Sequence, residues 1–156
     1  MRIDVIAVGK LKERYWVDAC NEYLKRLKPY TRVSVCEVTD RSLRTCENDD
    51  QIRVLEAQDI MRMSHPSAFL VVLDSRGEQL TSEQFADRIV ELQNNGSSHI
   101  VFVVGGSVGV DDQVRDKANL VLSFGAITLP HNLARVVLLE QLYRTFRIIH
   151  GEPYHK

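Results

Sequence analysis

The chain has 156 residues, of which 44% are hydrophobic and 26% charged, and its formal net charge at pH 7 is −1. This length and composition predict a single globular domain over residues 1–156 with an apolar core. No apolar run is long enough to cross a membrane, and the three cysteines lack C-x-x-C spacing, which indicates neither a disulfide framework nor a metal site; we therefore expect a cytoplasmic protein in a reducing compartment.

The charges are distributed unevenly along the chain. Residues 10–32 carry seven Lys and Arg against three Asp and Glu, whereas residues 37–59 carry seven acidic residues against three basic ones. This asymmetry is consistent with one basic face and one acidic flank, but a solvated face of salt bridges is the commoner explanation of such runs. Charge alone therefore does not indicate a nucleic-acid partner.

The chain opens with a strand pattern followed by a helix pattern. Residues 2–8 are rich in Ile and Val and predict a buried strand that ends at Gly9. Apolar residues at helical spacing over 16–27 predict an amphipathic helix with Lys and Arg on its other face. Tyr15 and Trp16 begin this segment, and we interpret them as core-packing side chains rather than base-stacking ones.

The same alternation continues through the middle of the chain. Residues 33–38 predict a second strand, and the charged, aperiodic segment 39–48 predicts an exposed loop. A helix is predicted over 49–63 because apolar residues recur there at helical spacing. The continuous apolar run 68–73 is typical of a parallel strand buried on both faces, and we expect it to end at the polar residues 74–77.

A third helix and a fourth strand lead to a glycine-rich segment. Thr81 and Gln84 have the spacing of a capping box, which predicts a helix start, and the helix pattern ends at 94–96. The apolar run 101–104 predicts a strand that breaks at the glycine loop 105–109. Alternating strands and helices of this kind predict a three-layer α/β/α sandwich with a mostly parallel sheet.

The last third of the chain predicts a short helix over 113–118, a strand over 120–124 and a long helix over 132–149. The long helix is apolar over more than one stripe, and such a helix has to be buried on more than one side. Packing against the sheet explains one side. A second copy of the chain would explain the other.

Two of the predicted strands end in glycines, at 105–109 and at 125–126. Ligands of open α/β sheets bind outside the carboxyl ends of the strands, where glycine allows the backbone to approach. The spacing G-G-x-x-G is not a dinucleotide fingerprint, and no Lys-Ser or Lys-Thr pair follows a glycine loop as in a Walker motif. The sequence therefore predicts a nucleoside-like ligand bound mainly by backbone groups.

Short segments along the whole chain match one protein family. They are AVGKLK at 7–12, LDSRG at 73–77, GGS at 105–107 with Gly109, LSF at 122–124, LPH at 129–131, RV at 135–136, EQLYR at 140–144 and PYHK at 153–156. On these residues the chain resembles the RlmH (YbeA) family, small SPOUT-superfamily methyltransferases that modify a pseudouridine in large-subunit ribosomal RNA. One position departs from the family pattern, because Val108 stands where relatives carry a polar or acidic residue.

This resemblance implies features that periodicity does not show. It implies that the sandwich ends in a deep C-terminal trefoil knot, an exception to the rule that chains do not thread loops. It also implies that the knot binds S-adenosylmethionine and that the active unit is a homodimer whose partner chain completes the site. The implied cofactor-binding residues are Leu73, Gly105, Phe124, Gly125, Ala126, Ile127, Thr128 and Leu129.

The implied reaction is methylation of N3 of a pseudouridine in helix 69 of 23S ribosomal RNA, with the assembled 70S ribosome as substrate. Such a transfer mainly requires positioning, but a base near the N3 proton would help. His131, Glu140 and His155 are the candidates by position, and the choice among them stays open. His131 follows Pro130 at a helix start, where the helix dipole disfavours a protonated ring, although capping or packing explains it equally well.

Arginines and the C-terminal tail complete the set of candidate catalytic residues. Arg135 and Arg144 are candidates for gripping phosphates or the partner's tail, although Glu140 and Arg144 have the favourable order for a helical salt bridge. Tyr154 and His155 combine an aromatic ring with an imidazole beside a terminal cation, a set suited to stacking and holding a flipped base. Frayed termini are the usual alternative.

Two hypotheses remain at this stage. The first is a knotted methyltransferase that uses S-adenosylmethionine on the ribosome. The second is a noncatalytic nucleotide-binding or ribosome-binding α/β module whose glycine loops hold a ligand but transfer nothing. Stoichiometric binding of the cofactor would favour the first.

Overall fold

A five-stranded sheet with helices on both faces forms the centre of the computed structural model, which describes residues 1–154. The strands are β1 (Arg2–Val8), β2 (Arg32–Val38), β3 (Phe69–Gln79), β4 (His99–Val104) and β5 (Leu120–Ser123). The helices are α1 (Arg14–Leu27), α2 (Asp49–Met63), α3 (Ser82–Asn94), α4 (Asp112–Lys117) and α5 (His131–Ile149).

The sheet has the strand order β2-β1-β4-β3-β5, and all four neighbouring pairs are parallel. All carboxyl ends of the strands therefore meet at one edge. One core cluster joins a face of the sheet to α1, α3 and α5, and a second joins the opposite face to α2 and α4. This arrangement confirms the predicted three-layer α/β/α sandwich.

The strands form because their apolar runs can be buried on both faces. In the central strand β4, every residue from Ile100 to Val104 is at most 3% exposed. Helices pack on both faces of such a strand. Its sequence is therefore a continuous apolar run and does not alternate between apolar and polar residues. The predicted capping box of α3 is also present, because Thr81 accepts from the Gln84 N–H and the Gln84 side chain accepts from the Thr81 N–H.

The element boundaries follow the sequence prediction closely except at β3. The prediction that this strand ends at residues 74–77 is wrong, because β3 continues to Gln79. Its pairing with the edge strand β5 shifts register between Leu73 and Glu78, so both of these residues pair with Leu122. The part of β3 that was not predicted pairs with the edge strand β5, where polar side chains stay exposed. Its sequence is therefore polar and resembles that of a loop.

Helix α5 lies between α1 and α3 on one face of the sheet. Leu138 and Tyr143, which fall outside its main apolar stripe, are buried in this cluster, so neighbouring helices of the same chain account for them. Leu133, Val137 and Ile148 are half-buried and belong to neither core cluster formed by the described residues. The described part of the chain therefore leaves these three side chains partly exposed.

Within residues 1–154, no helix has the length and hydropathy needed to cross a membrane. The same part of the chain contains no group of three or more His, Cys, Asp or Glu side chains placed to hold a metal ion. The three cysteines are free thiols. The trefoil knot that the family resemblance implies stays a prediction.

Candidate functional site

A cavity of about 850 Å³ opens at the edge of the sheet where β3, β4 and β5 end. Its wall combines these strand ends with the first turn of α5, as the parallel arrangement of the strands predicts. Most of its lining residues come from four segments, namely 73–76, 104–110, 122–125 without Ser123, and 127–131, and the helices add Arg53, Asp112, Arg115 and Ala134.

The glycine loop after β4 forms one side of this cavity. It folds back on itself through a bridge between Gly106 and Gly109, whose N–H donates to the Gly106 carbonyl at 3.1 Å. Gly109 has φ +79°, a conformation that glycine adopts readily. A Cβ on Gly105 would lie 2.6 Å from Val110 Cγ2, so a side chain there would displace the wall.

Two arginines on the cavity wall, Arg53 and Arg115, hold the glycine loop in place. The Arg115 guanidinium donates to Asp74 Oδ2 at 3.1 Å, to the Val110 carbonyl and to Asp112. Arg53 donates to the Val108 carbonyl at 3.2 Å. The Val108 backbone is thus held in place.

Asp74 lies at the end of the first section of β3 and is paired from two directions. Arg76 Nε donates to Asp74 Oδ1 at 3.0 Å, and this hydrogen bond is the largest cause that holds the pKa of Asp74 below its ordinary value. Arg115 lowers that pKa further. Sequence reasoning assigned no role to Arg53, Asp74 or Arg115. Asp74 at least follows a predicted strand directly, whereas Arg53 and Arg115 lie within helices α2 and α4 and carry no such signal.

The structure places seven of the eight predicted cofactor residues on the cavity wall. These are Leu73, Gly105, Phe124, Gly125, Ile127, Thr128 and Leu129, whereas Ala126 is exposed and does not line the cavity. The turn after β5 is stabilised by Ser123, whose Oγ accepts from the Gly125 N–H at 3.1 Å and donates to the Ser75 carbonyl at 3.2 Å. That the seven residues on the cavity wall bind a cofactor stays a prediction.

His131 is the first residue of α5 and also lines the cavity, where it is half-buried. The helix has no side-chain cap, and Pro130 precedes it as the capping residue. The position at a helix start agrees with the sequence prediction. Whether the ring acts as a base or as a hydrogen-bond donor stays a prediction.

Glu140, Arg144 and Tyr154 form a second cluster further along α5. Arg144 donates to Glu140 Oε1 through both Nε at 3.0 Å and Nη2 at 2.7 Å, which confirms the predicted helical salt bridge. Tyr154 donates from its hydroxyl to the same oxygen at 3.2 Å, and the Arg144 guanidinium lies 4.8 Å from its ring centroid. Burial, followed by the Glu140 charge, raises the pKa of Tyr154.

The two groups of candidate residues do not meet within one chain. His131 and Glu140 are nine residues apart on a single helix, which corresponds to roughly 13 Å along its axis. His155, the remaining catalytic candidate, lies outside the described residues. The cavity and the Glu140 cluster are therefore separate on one copy of the chain.

Arg135 and Arg147 have structural contacts. Arg135 is 2% exposed, pairs with Glu37 at 2.6 Å and donates to the Gly9 carbonyl at 2.8 Å. The prediction that Arg135 grips a phosphate or a partner's tail is therefore wrong, because its guanidinium lies in the interior and joins α5 to the end of β1. Arg147 pairs with Glu152 at 2.7 Å.

The interpretation of Tyr15 as a core side chain is also wrong. Tyr15 is 65% exposed, whereas Trp16 beside it is half-buried. Their ring centroids are 5.1 Å apart in an edge-to-face arrangement. The aromatic character suggested burial, but Tyr15 is on the outward side of the first turn of α1.

Comparison with known proteins adds information on ancestry. The model of a family described as "Predicted SPOUT methyltransferase" matches residues 1–155. Full-length similarity extends to a protein from Bifidobacterium animalis subsp. lactis, at 48% identity, and to one from Carboxydothermus hydrogenoformans, at 46%. Both are named ribosomal RNA large subunit methyltransferase H, and each alignment covers 100% of both chains.

A solved structure shares the architecture. It is described as that of "a probable methylase family protein" from Haemophilus influenzae, and it aligns with 99% of this chain and 70% of its own chain. The TM-score is 0.53 and the identity 16%. At this identity the likeness concerns the fold alone.

Proposed function

The chain belongs to the SPOUT methyltransferase family, and we propose that it transfers a methyl group from S-adenosylmethionine to N3 of a pseudouridine in 23S ribosomal RNA, at helix 69 of the large subunit. The names of its full-length relatives support a ribosomal RNA substrate. The observation that carries the proposal is the cavity at three parallel strand ends, whose wall combines backbone groups with His131.

The residues of the cavity fit S-adenosylmethionine. A volume of about 850 Å³ suits a ligand of that size. A Cβ built on Gly109 or Gly125 would meet no atom within 4 Å, so both glycines border open space that a side chain would occupy. Leu73, Phe124 and Leu129 supply apolar surface for an adenine ring, and exposed backbone groups of the loops supply hydrogen bonds.

The bound cofactor supplies a methyl group on a positive sulfonium, which is a good leaving group. The protein then has to hold the pseudouridine N3 in line with that methyl group. His131 stands on the cavity wall and is placed to orient the base or accept its N3 proton. Glu140 and His155 remain the alternatives for the proton.

We further propose that the active unit is a homodimer. Within one chain, His131 lies apart from the cluster of Glu140, Arg144 and Tyr154. We therefore infer that the cavity of one copy is completed by the Glu140 cluster of a second copy. Tyr154 would stack on the target base, and Arg144 would contact a phosphate. The tail residue His155 belongs to the same proposed set.

The proposed substrate is the assembled 70S ribosome in the cytoplasm. Residues 1–156 are proposed to form a single domain, and their net charge of −1 gives little general attraction to phosphates. An assembled ribosome would hold the target base in a fixed orientation. The particle would then supply much of the recognition that the protein lacks.

Transfer of labelled methyl from S-adenosylmethionine tests this proposal directly. The acceptors are 70S ribosomes without their own modification, isolated large subunits and naked 23S RNA, followed by mass spectrometry of the labelled nucleoside. We expect one N3-methylpseudouridine per ribosome, with the highest rate on the 70S particle. Ribosomes that carry uridine at the same position are the matched control and should be labelled far less.

Two results would contradict the proposal in different ways. Tight cofactor binding without any transfer would favour the noncatalytic binding module. Label on another nucleoside would keep the methyltransferase but replace its substrate. Gly125 lines the cavity with φ +120°, so a Gly125→Val variant both adds a side chain to the wall and strains the backbone there, and it should lose cofactor binding and transfer together.

A further inference from the structure

The segment 10–16 comprises most of the β1–α1 connection and the first residues of α1, and it carries basic and aromatic side chains at the carboxyl edge of the sheet. Because all five strands are parallel, this is the edge at which the cavity opens. The preceding residue, Gly9, accepts a hydrogen bond from Arg135 in the second turn of α5. One turn earlier in that helix, His131 lines the cavity.

The two surfaces are therefore neighbours. Ala134 borders the large cavity, and Arg135 next to it borders a smaller cleft of about 370 Å³ together with Lys10 and Leu11. The start of α5 separates the two depressions. A strand of nucleic acid that leaves the cavity across this ridge would reach Lys10 first.

The charges of the segment are available for a partner. Lys10, Lys12 and Arg14 are exposed, and Glu13 is the one acid among residues 10–16. Arg14 is 3.6 Å from Asp18, with both side chains mostly in solvent, where an ion pair contributes little. Neither lysine takes part in an ion pair within the described part of the chain.

Tyr15 gives this basic segment a flat aromatic surface. Its side chain is 65% exposed, although an aromatic ring of this size is costly to leave in water. The ring makes an edge-to-face contact with half-buried Trp16, at 5.1 Å between centroids, which favours this orientation. Exposed rings beside cationic side chains are the arrangement that proteins use to stack unpaired bases.

We propose that residues 10–16 form an RNA-contact surface in which Lys10 and Lys12 bind backbone phosphates and Tyr15 stacks on an unpaired base next to the target nucleotide. The inference rests on the proposed function. A polyanion such as RNA complements the positive charge of this surface. If the same surface of a second copy packed against it, like charges would repel each other. The surface would supply part of the RNA affinity that net charge does not.

A pair of double variants tests the surface. Lys10→Ala with Lys12→Ala removes two exposed charges just before α1. Lys25→Ala with Lys28→Ala removes two exposed charges at the far end of α1, roughly 20 Å from its start. The first pair should raise the KM for ribosomes about tenfold and reduce the salt dependence of ribosome binding by about one to two phosphate contacts. Its kcat and its affinity for S-adenosylmethionine should stay unchanged.

Tyr15 variants separate stacking from charge. Tyr15→Ala should raise the KM for ribosomes about tenfold, and Tyr15→Trp should retain most of the wild-type value because an aromatic face remains. Equal effects of the two lysine pairs would overturn the inference, as would a Tyr15→Ala enzyme with wild-type KM.

Two controls keep this test separate from that of the proposed function. Co-sedimentation of ribosomes with the wild-type protein and with the two lysine double variants, without any cofactor, checks the surface even if no methyl group is transferred. Light scattering of the Lys10 and Lys12 variant checks oligomeric state. A loss of dimer mass would assign the surface to a second copy and overturn its assignment to RNA.

Discussion

Arg115 shows how a single side chain organises the cavity. Its guanidinium contacts the end of the first section of β3 at Asp74, the carbonyl of Val110 after the glycine loop, and Asp112 in the first turn of α4. A planar group with five donors can satisfy three acceptors at once. The loop is thereby tied to the strand that supplies the opposite wall.

Replacing Arg115 by Ala should weaken binding of S-adenosylmethionine about tenfold, because the glycine loop must then be ordered at the expense of binding energy. Arg115→Lys should recover only part of this, since an ammonium group reaches fewer of the three acceptors. Calorimetry measures the affinity, and hydrogen exchange of residues 105–110 measures the order of the loop.

The matched control for Arg115 is Arg62→Ala, which removes an arginine that is 75% exposed from the end of α2. It should leave both measurements unchanged. Faster exchange in the 105–110 loop without any loss of affinity would mean that the anchor stabilises the fold but does not position the ligand. At saturating cofactor the exchange difference should disappear.

Glu56 is a buried acid beneath the same loop. It is 2% exposed, its Oε1 accepts from the Arg41 N–H at 3.2 Å, and its Oε2 has no hydrogen-bond partner among the described residues. A Cβ on Gly106 would lie 3.5 Å from that second oxygen. Burial is the largest cause that raises the pKa of Glu56 above its ordinary value of 4.5.

The sign of the resulting pH dependence follows from proton binding. Between pH 4.5 and the raised pKa, the folded state binds more protons at Glu56 than the unfolded state, so stability falls as the pH rises through this interval. Glu56→Gln should therefore unfold at a higher urea concentration than the wild type at pH 7. At pH 4 the two proteins should unfold together.

An exposed substitution, Glu91→Gln, is the control for this comparison. It should show no such difference between the two pH values. If Glu56→Gln is less stable than the wild type at pH 7, the carboxylate must have a partner that offsets its burial.

At the scale of elements, local sequence patterns predicted most of the fold, because each helix or strand buries the apolar residues whose spacing marks it. The 49–63 helix has the predicted bounds, and the Thr81 capping box forms as its spacing indicated. The extension of β3 was not predictable in the same way. Its pairing with β5 depends on a register shift between segments that are almost fifty residues apart, and polar residues 74–79 contain no periodic signal for it.

Gly77 permits that extension. A Cβ on it would lie 2.5 Å from the Val121 carbonyl oxygen and 2.8 Å from the Leu122 carbonyl carbon, both of them backbone atoms of β5. Gly77→Ala should therefore lower the free energy of unfolding by about 2–3 kcal/mol, because the two strands must separate. Urea denaturation measures this loss.

Gly96→Ala provides the comparison for Gly77. Gly96 has φ +80° after α3, but a Cβ there would meet no atom within 4 Å. Only the backbone conformation is strained, so the cost should be about 1 kcal/mol. Equal losses for both variants would show that β3 and β5 can move apart at little cost.

At the scale of the molecule, the sequence located the cavity but not its whole arrangement. Glycines after apolar runs mark strand ends, and parallel strands bring those ends to one edge, so seven of eight predicted residues line the cavity. The arginine anchors lay beyond this reasoning, because they join segments that are distant in sequence. Arg135 was misassigned for the same reason, since its partners Glu37 and Gly9 are about a hundred residues away.

The uncovered side of α5 bears on the proposed dimer. Three half-buried apolar residues of α5 lie on the same stripe of the helix as Glu140 and Arg144, namely Leu133, Val137 and Ile148. These apolar side chains and the Glu140 cluster therefore share one face of α5. A partner that covers the apolar residues would also contact the cluster. The proposed interface and the proposed composite site therefore depend on the same surface.

Val137→Lys places a charge on this face and should convert the dimer to a single chain of 17.8 kDa, as measured by light scattering. Methyl transfer should fall at least about a hundredfold. Binding of S-adenosylmethionine should persist, since the cavity belongs to one chain. Gln93→Lys, at an exposed position of α3, is the control and should change neither the dimer mass nor the rate of methyl transfer. A Val137→Lys protein that is monomeric and active would contradict the composite site.

Mixed dimers test which chain supplies each residue. His131→Ala and Tyr154→Ala should each lose activity, because every site in either homodimer lacks one side chain. If His131 acts with Tyr154 of the partner subunit, a mixed dimer contains one intact site and one site that lacks both. Unfolding and refolding the two variants together makes about half of the dimers mixed, so roughly a quarter of wild-type activity should return. If both side chains served the same chain's site, every site in the mixture would still lack one of them, and refolding would restore nothing.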